Sequence, residues 1–191
     1  MTKLELTSGR RLFVEPDDFV PNPREHSDYD SLIAVASNRW YDGDESYSSV
    51  AELKAVVEKA EKDGCVVLPL YVLDHSGLSF SITSFNDPWD SCQIGYMIYP
   101  SGWTEEDARR CAQSELHELS QFANGQVFSV GIEHPEGWHG VTDDSLGGIY
   151  ADTEDEAIKE ALTELDLTGQ EKEEIRKHFG IEAEKKQGCH R

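Results

Sequence analysis

Between Leu68 and Tyr99 the chain gathers its densest set of reactive side chains: Asp74, His75 and Ser76, then Asp87, Asp90, Ser91 and Cys92, with Trp89 among them. Carboxylates and an imidazole at this density can ligate a divalent cation, or transfer protons as acid and base. Asp74, His75 and Ser76 are contiguous, however, and the members of a Ser-His-Asp triad converge from separate elements. Asp74 and Asp90 fit equally well as side chains that accept hydrogen bonds from turn amides. A second group, His134, Glu136 and His139, puts two imidazoles and a carboxylate in one loop without fixing any further ligand. His117-Glu118 lacks the second histidine of a zinc-protease helix, and Gly147-Gly148 lacks the lysine and hydroxyl of a phosphate loop. Cys65, Cys92, Cys111 and Cys189 form no CxxC pair and read as free thiols in a reducing compartment. These residues assign no catalytic group, no metal ligand and no cofactor, so the reading is of a binding protein and not an enzyme.

Hydrophobic periodicity predicts the elements that must hold these groups. Lys3–Thr7 and Arg11–Glu15 flank Ser8-Gly9-Arg10 as a hairpin. Pro16–Asp30, broken by Pro21 and Pro23, reads as loop. Ser31–Ala36 reads as a short buried strand and Asn38–Tyr47 as an acidic, aromatic loop. Cys65–Leu73, the turn Asp74–Gly77 and Leu78–Ile82 make a hairpin, with Pro69 marking an edge or a bulge. Gln93–Tyr99, Val127–Ile132 and Ser145–Tyr150 are further strands, and Gly137–Gly140 is a turn. Four helices are predicted, opened by Ser49 with Glu52, Thr104 with Asp107, Thr153 with Glu156, and Thr168 with Glu171. Asp63-Gly64, Asn124-Gly125 and Gly180 supply stops. Strands in runs, with helices between hairpins, predict an α+β fold: a mainly antiparallel sheet, helices packed on it and a helical C-terminal appendage. The expected organisation is a core domain over residues 1–150, an acidic helical appendage over 151–182 and a disordered tail over 183–191.

Charge is the property that points toward function. The 191 residues include 38 acidic and 17 basic ones, a net charge of −21, and 38% are hydrophobic, enough for a core. Such a surface repels nucleic acid and anionic lipid and attracts basic proteins. The segment MTKLELTSGRR lacks the apolar stretch of a signal peptide, and no apolar run approaches the roughly 18 residues of a membrane span. A cytoplasmic protein without membrane contact is expected.

Twelve acids and two lysines lie between Asp143 and Glu174. On a helix, acids three or four residues apart sit about 5–6 Å from each other, comparable with the repeat of phosphates along a strand. The candidate partner-binding residues are therefore Asp42, Asp44 and Glu45 in one loop, and Asp143, Asp144, Asp152, Glu154, Asp155, Glu156 and Glu160 toward the C-terminus. For any one of these acids, a solvated face is the alternative.

LPLYVLDHSGLSFS (68–81), DPWDSCQIGYMIY (87–99) and DSLGGIY (144–150) stand in this order along the chain. Together they resemble a family of small proteins from phages, plasmids and conjugative elements of Gram-positive bacteria, whose pattern reads LPLYLYDHSG, then WDSGQVGY, then D-S-x-x-G-F-Y. The resemblance covers about Asp17 to Tyr150, and Cys92 departs from it where the family commonly has glycine. It implies the company of accessory genes, many of them antirestriction or anti-CRISPR, and it assigns no catalytic residue. It also allows the motif to serve the fold, with Asp74 and Asp90 holding turns and Trp89 in the core.

Charge and resemblance together lead to one expectation: an inhibitor that blocks the nucleic-acid-binding surface of a basic host nuclease, a CRISPR effector of the Cas9 kind being one such target. The alternatives are a metal-dependent hydrolase or nucleotide-modifying enzyme built on the Asp74–Asp90 hairpin, and a scaffold or regulatory partner, with homodimerisation open.

Overall fold

The computed structural model describes residues 1–26, 29–134 and 142–182. In chain order its elements begin with β1 (Thr2–Glu5), β2 (Arg11–Pro16), α1 (Pro23–His26), β3 (Leu32–Ala36), β4 (Glu45–Tyr47), α2 (Val50–Lys62) and β5 (Val66–Asp74). They continue with β6 (Leu78–Ser81), β7 (Ser91–Tyr99), α3 (Glu105–Ala123), β8 (Val127–Glu133), β9 (Thr142–Tyr150), α4 (Glu154–Glu164) and α5 (Gly169–Phe179). This is an α+β fold. Contacts divide the chain into Met1–Val20 with Gly125–Arg191, and Pro21–Asn124. That discontinuous division is one a linear reading of the chain does not offer. The Gly137–Gly140 turn, Glu136, His139, Cys189 and the 183–191 tail lie outside the described residues.

The first unit is built on an antiparallel sheet in the order β1-β2-β8-β9. Alternation along β2 and β8 sends Leu12, Val14, Val130 and Ile132 to one face, where they meet Ala157, Ile158, Ala161 and Leu162 of α4 and Ile175 of α5. Each such leucine, isoleucine or valine side chain contributes about 1.5–3 kcal/mol when fully buried. The C-terminal helices start where the sequence places them, because the Thr153 and Thr168 hydroxyls accept the third amides of their helices. Gly180 takes the left-handed conformation that ends α5.

The second unit holds a mixed sheet in the order β4-β3-β7-β5-β6. Its pairs are antiparallel except β3 with β4. Helices cover both faces. Ile33 and Val35 pack with Ala108, Ala112, Leu116 and Leu119 of α3, while Ala34 and Ile98 pack with Leu53 and Val57 of α2.

Two details differ from the sequence expectations, and a third, at Pro69, follows them. Residues Pro23–His26 form a helical turn inside the predicted loop, because Asn22 accepts from the amides of Arg24 and Glu25 and Pro23 fits a first helical position. Residues Glu45–Tyr47 form a strand inside the predicted acidic loop, paired in parallel with Ala34–Ala36. Pro69 stands in an interior strand, yet β6 pairs only with Tyr71–Asp74, so the edge of β5 at Pro69 is unpaired on that side. A register shift follows between Leu70 and Tyr71, the bulge that proline signals.

Candidate functional site

The Asp74–Gly77 turn closes the β5–β6 hairpin with Ser76 at φ 59° and Gly77 at φ 148°. Asn124, the C-cap of α3, clasps the outer edge of β6: its side chain accepts from the Leu78 amide at 2.8 Å and donates to the Leu78 carbonyl at 2.8 Å. The Phe80 amide donates to Ser120 at 3.0 Å. Helix α3 thereby satisfies outward amides of an edge strand, which otherwise invites pairing with another chain.

The loop before β7 is tied down as firmly. Asp87 Oδ1 accepts from the amides of Trp89 (2.9 Å) and Asp90 (3.0 Å), and the Ser91 hydroxyl donates to the Asp87 carbonyl. These amide bonds hold the Asp87 carboxyl below its usual range. Asp90 joins the loop to the hairpin: its carbonyl accepts from the Asp74 amide at 2.8 Å, and its Oδ2 lies 2.9 Å from His75 Nδ1. The hydrogen bond with Asp90 raises the His75 pKa. Asp74 Oδ2 accepts from Trp40 Nε1 at 3.0 Å and lies 3.4 Å from Arg39 Nη2.

Of the constellation read from sequence, Asp74, His75, Asp87, Asp90 and Ser91 are joined by hydrogen bonds, whereas Ser76 and Cys92 enter none of those bonds. His75 and Asp90 form an exposed pair, and Asp74 and Asp87 act as acceptors that fix turns. Burial pushes the half-buried Cys92 thiol up, the opposite of what an activated nucleophile needs. An open groove of about 410 Å³ runs beside these residues, lined by Tyr71, Ser84, Asn86, Asp87, Ser91 and Gln93 among others. No three His, Cys, Asp or Glu side chains converge to hold a metal ion among the described residues. Trp89 departs most from expectation: it is 91% exposed and is no part of the core, on a loop whose Trp89 and Asp90 amides are held by Asp87.

The acids chosen as partner contacts fall into two classes. Asp44 is occupied internally, bonding Arg24 through both oxygens and accepting from the Ile33 amide at 2.7 Å. Asp144 accepts from the Asp166 amide at 2.7 Å. Glu154 takes the Thr2 hydroxyl and lies 3.7 Å from the amino group of Met1. Glu45 accepts from the Tyr47 hydroxyl, and that bond pushes the phenol up to about 12. Asp42, Asp152, Asp155, Glu156 and Glu160 are exposed, and Glu156 also accepts from the Asp152 amide at 3.1 Å. The Asp143 side chain lies outside the described set. Along α4, Glu164 continues the row of Glu156 and Glu160 at four-residue spacing, also exposed. None of these three makes an ion pair among the described residues.

Two carboxylates whose burial sequence reasoning missed are Glu115 and Glu171. Glu115 of α3 accepts from Arg24 Nη1 at 2.6 Å, from Tyr99 Oη at 2.8 Å and from the Ser31 hydroxyl. Glu171 of α5 accepts from Arg10, Ser8 and the backbone and hydroxyl of Thr168. Glu115 had a signal, since it falls on the apolar stripe of α3 between Ala112 and Leu119.

The fold and this surface define a strongly acidic α+β chain with Asp74, His75, Asp87 and Asp90 gathered at one hairpin. No model of a known protein family, no curated protein and no solved structure matches it. Among the described residues, no helix is long and apolar enough to cross a membrane.

Proposed function

We propose that the chain is an acidic binding protein that acts stoichiometrically, without catalysis, on a basic nucleic-acid-binding nuclease of host defence. It would do so by occupying the surface that the nuclease offers to DNA or RNA, as an antirestriction or anti-CRISPR inhibitor does. The observation that carries this reading is the ridge of Glu156, Glu160 and Glu164 on α4, exposed and without an internal cation among the described residues. Like charges four apart on a helix destabilise it by about 0.2–0.5 kcal/mol per pair. Glu156 gives the fold a capping bond, accepting the Asp152 amide at 3.1 Å, but Glu160 and Glu164 form no ion pair among the described residues, so the use of their charge lies outside the fold. A lysine- and arginine-lined channel that binds it gains the counterion release that nucleic acid supplies, and the net charge of −21 speeds the encounter at low salt.

The test has two stages. The immobilised chain is exposed at low salt to lysate of a bacterial host, bound proteins are released by salt steps, and any nuclease identified by mass spectrometry is purified and assayed with the chain added. Inhibition should fall steeply with salt. It should weaken about tenfold or more, ~1.4 kcal/mol, when Asp155→Asn, Glu156→Gln, Glu160→Gln and Glu164→Gln are combined. Inhibition that ignores both salt and these substitutions would leave the acidity with solubility alone, and this reading would fall.

A further inference from the structure

Trp89 presents its indole to water on a loop whose backbone is fixed at both ends. It is 91% exposed, while Asp87 Oδ1 holds the Trp89 and Asp90 amides and Asp90 is joined to both Asp74 and His75. An exposed indole on a backbone that is already held has no loop to order on binding, which lowers the cost of using it as an interface anchor.

The chain itself shows what such an indole takes when a carboxylate stands beside it. The Arg39 guanidinium carbon lies 4.7 Å from the centroid of the Trp40 ring, with Nη2 3.4 Å from Asp74 Oδ2. Trp40 in turn donates its Nε1–H to that same carboxylate oxygen. Indole face and carboxylate together seat a guanidinium, whose planar cation stacks on an aromatic face and bonds an anion. Trp89 has the same ingredients in its own loop, between Asp87 and Asp90. Arg39 stacks on Trp40 and Arg24 on Tyr29, and among the described residues neither of these guanidinium groups is given to Trp89.

We infer that Trp89, flanked by Asp87 and Asp90, is the anchor of an interaction surface for a cationic protein partner, and that it receives an arginine side chain of that partner. This rests on the proposed function, whose basic partner it provides with a specific contact. Charge complementarity selects the occupant. A second copy would bring a net charge of −21 against another, and a nucleic acid or an anionic membrane would set negative charge against Asp74, Asp87 and Asp90.

The test uses the full chain and two probes, octa-arginine and octa-lysine, titrated by calorimetry at physiological salt. The wild type should bind octa-arginine more tightly than octa-lysine. Trp89→Ala should remove that preference, weakening octa-arginine binding by at least about fivefold and leaving octa-lysine binding unchanged. Trp89→Phe should retain part of the preference. Circular dichroism should be the same for all three proteins, because the side chain is in solvent. Equal binding of the two peptides by the wild type, or a Trp89→Ala chain that binds both as the wild type does, would overturn the inference. So would sedimentation showing that Trp89→Ala dissociates a homodimer. The α4 variant set separates this from the function itself. If it alone weakens peptide binding, the anchor is wrong and the acidic ridge stands. If Trp89→Ala alone weakens it, the anchor stands and the ridge does not.

Discussion

The unit Pro21–Asn124 contains 18 acidic and 7 basic residues, and the unit joining Met1–Val20 to Gly125–Arg191 contains 20 and 10, so their net charges are −11 and −10. They hold that charge differently. In the former, carboxylates are drawn into local geometry: Glu115 takes three donors, Asp44 takes Arg24 and the Ile33 amide, Asp74 takes Trp40, and Asp87 takes two amides. Among the described residues, the other unit has a deeply buried clasp, Arg10 with Glu171, and ties down Asp17, Asp144 and Glu154, but it leaves a row of glutamates on α4 in water. Net charge counts carboxylates, whereas the donors around each one decide which remain available to a partner.

The largest expected effect breaks the clasps. The Arg24 side chain is 4% exposed between Glu115 and Asp44, and Glu171 is 2% exposed against Arg10. Removing one partner of such a buried pair leaves an uncompensated charge and costs about 3–5 kcal/mol. Arg24→Ala should lower hydrogen-exchange protection in 21–124, and Glu171→Ala should lower it in the other unit. Equal loss in both units from either variant would show that the two are one cooperative body. Acid sharpens the same contrast. Arg10, with help from Ser8 and Thr168, holds the Glu171 carboxyl well below its usual range. A depressed carboxylate contributes stability that is present above its unfolded value, about 4.3. That contribution is lost as pH falls through the folded value. Below about pH 4, the wild type should therefore lose protection in its first unit that Glu171→Gln has already lost at neutral pH.

The second effect belongs to the hairpin that carries the motif. A Cβ at Gly77 would stand 2.6 Å from Asn124 Oδ1, on a backbone with φ 148° that side chains rarely adopt. Gly77→Val should cost about 1–3 kcal/mol and loosen the Asn124 clasp on β6. Asn124→Ala alone should loosen β6 without the backbone strain, and a thermal melt compares them. Equal melting temperatures for the two variants would assign the loss to the clasp.

What the sequence made legible was local. Ser49, Thr104, Thr153 and Thr168 announced four helices by cap chemistry, and the Asp74–Gly77 turn announced its hairpin. Strand β4 did not announce itself, since Glu45, Ser46 and Tyr47 have no alternation and their pairing with β3 is parallel. The burial of Glu115 and Glu171 was not read from the sequence, because it depends on Arg24 and Arg10, distant along the chain. Among the candidate contacts, exposure at α4 followed from its apolar stripe, Ala157, Ile158, Ala161 and Leu162. The capture of Asp44 by Arg24 and the outward turn of Trp89 required the folded chain.

The α4 ridge yields a smaller effect of opposite sign. Glu160 and Glu164 stand near the negative end of the helix dipole and repel each other, and α4 has no basic residue in its last turn. Glu160→Gln with Glu164→Gln should raise stability by about 0.3–1 kcal/mol in a denaturant titration while weakening the salt-dependent binding proposed above. A pair that destabilised the chain would mean that the ridge serves the fold.

The smallest effect concerns His75. Its side chain is 69% exposed, and Asp90, first by hydrogen bond and then by charge, raises its pKa, with Asp87 adding to the field. A raised imidazole keeps its proton to higher pH than the ordinary value of about 6.5. Whatever the charged pair contributes is thus fully present below that value and is lost as pH rises through the folded one. Solvent screens an exposed pair, so the global melt should barely register the change. The ring itself reports it. In a proton NMR titration, the His75 midpoint should lie above that of a free histidine and return toward it in Asp90→Asn. That variant keeps the Asp90 carbonyl, which accepts from the Asp74 amide, so the loop should stay in place. His75→Ala should likewise leave partner inhibition nearly intact, because Asp87 and the Asp90 backbone hold the loop without the imidazole. A midpoint indifferent to Asp90→Asn would dissolve the pair. If His75→Ala abolished activity in a folded chain, the imidazole would be doing chemistry, and the hairpin would then have to be reconsidered as the centre of an enzyme.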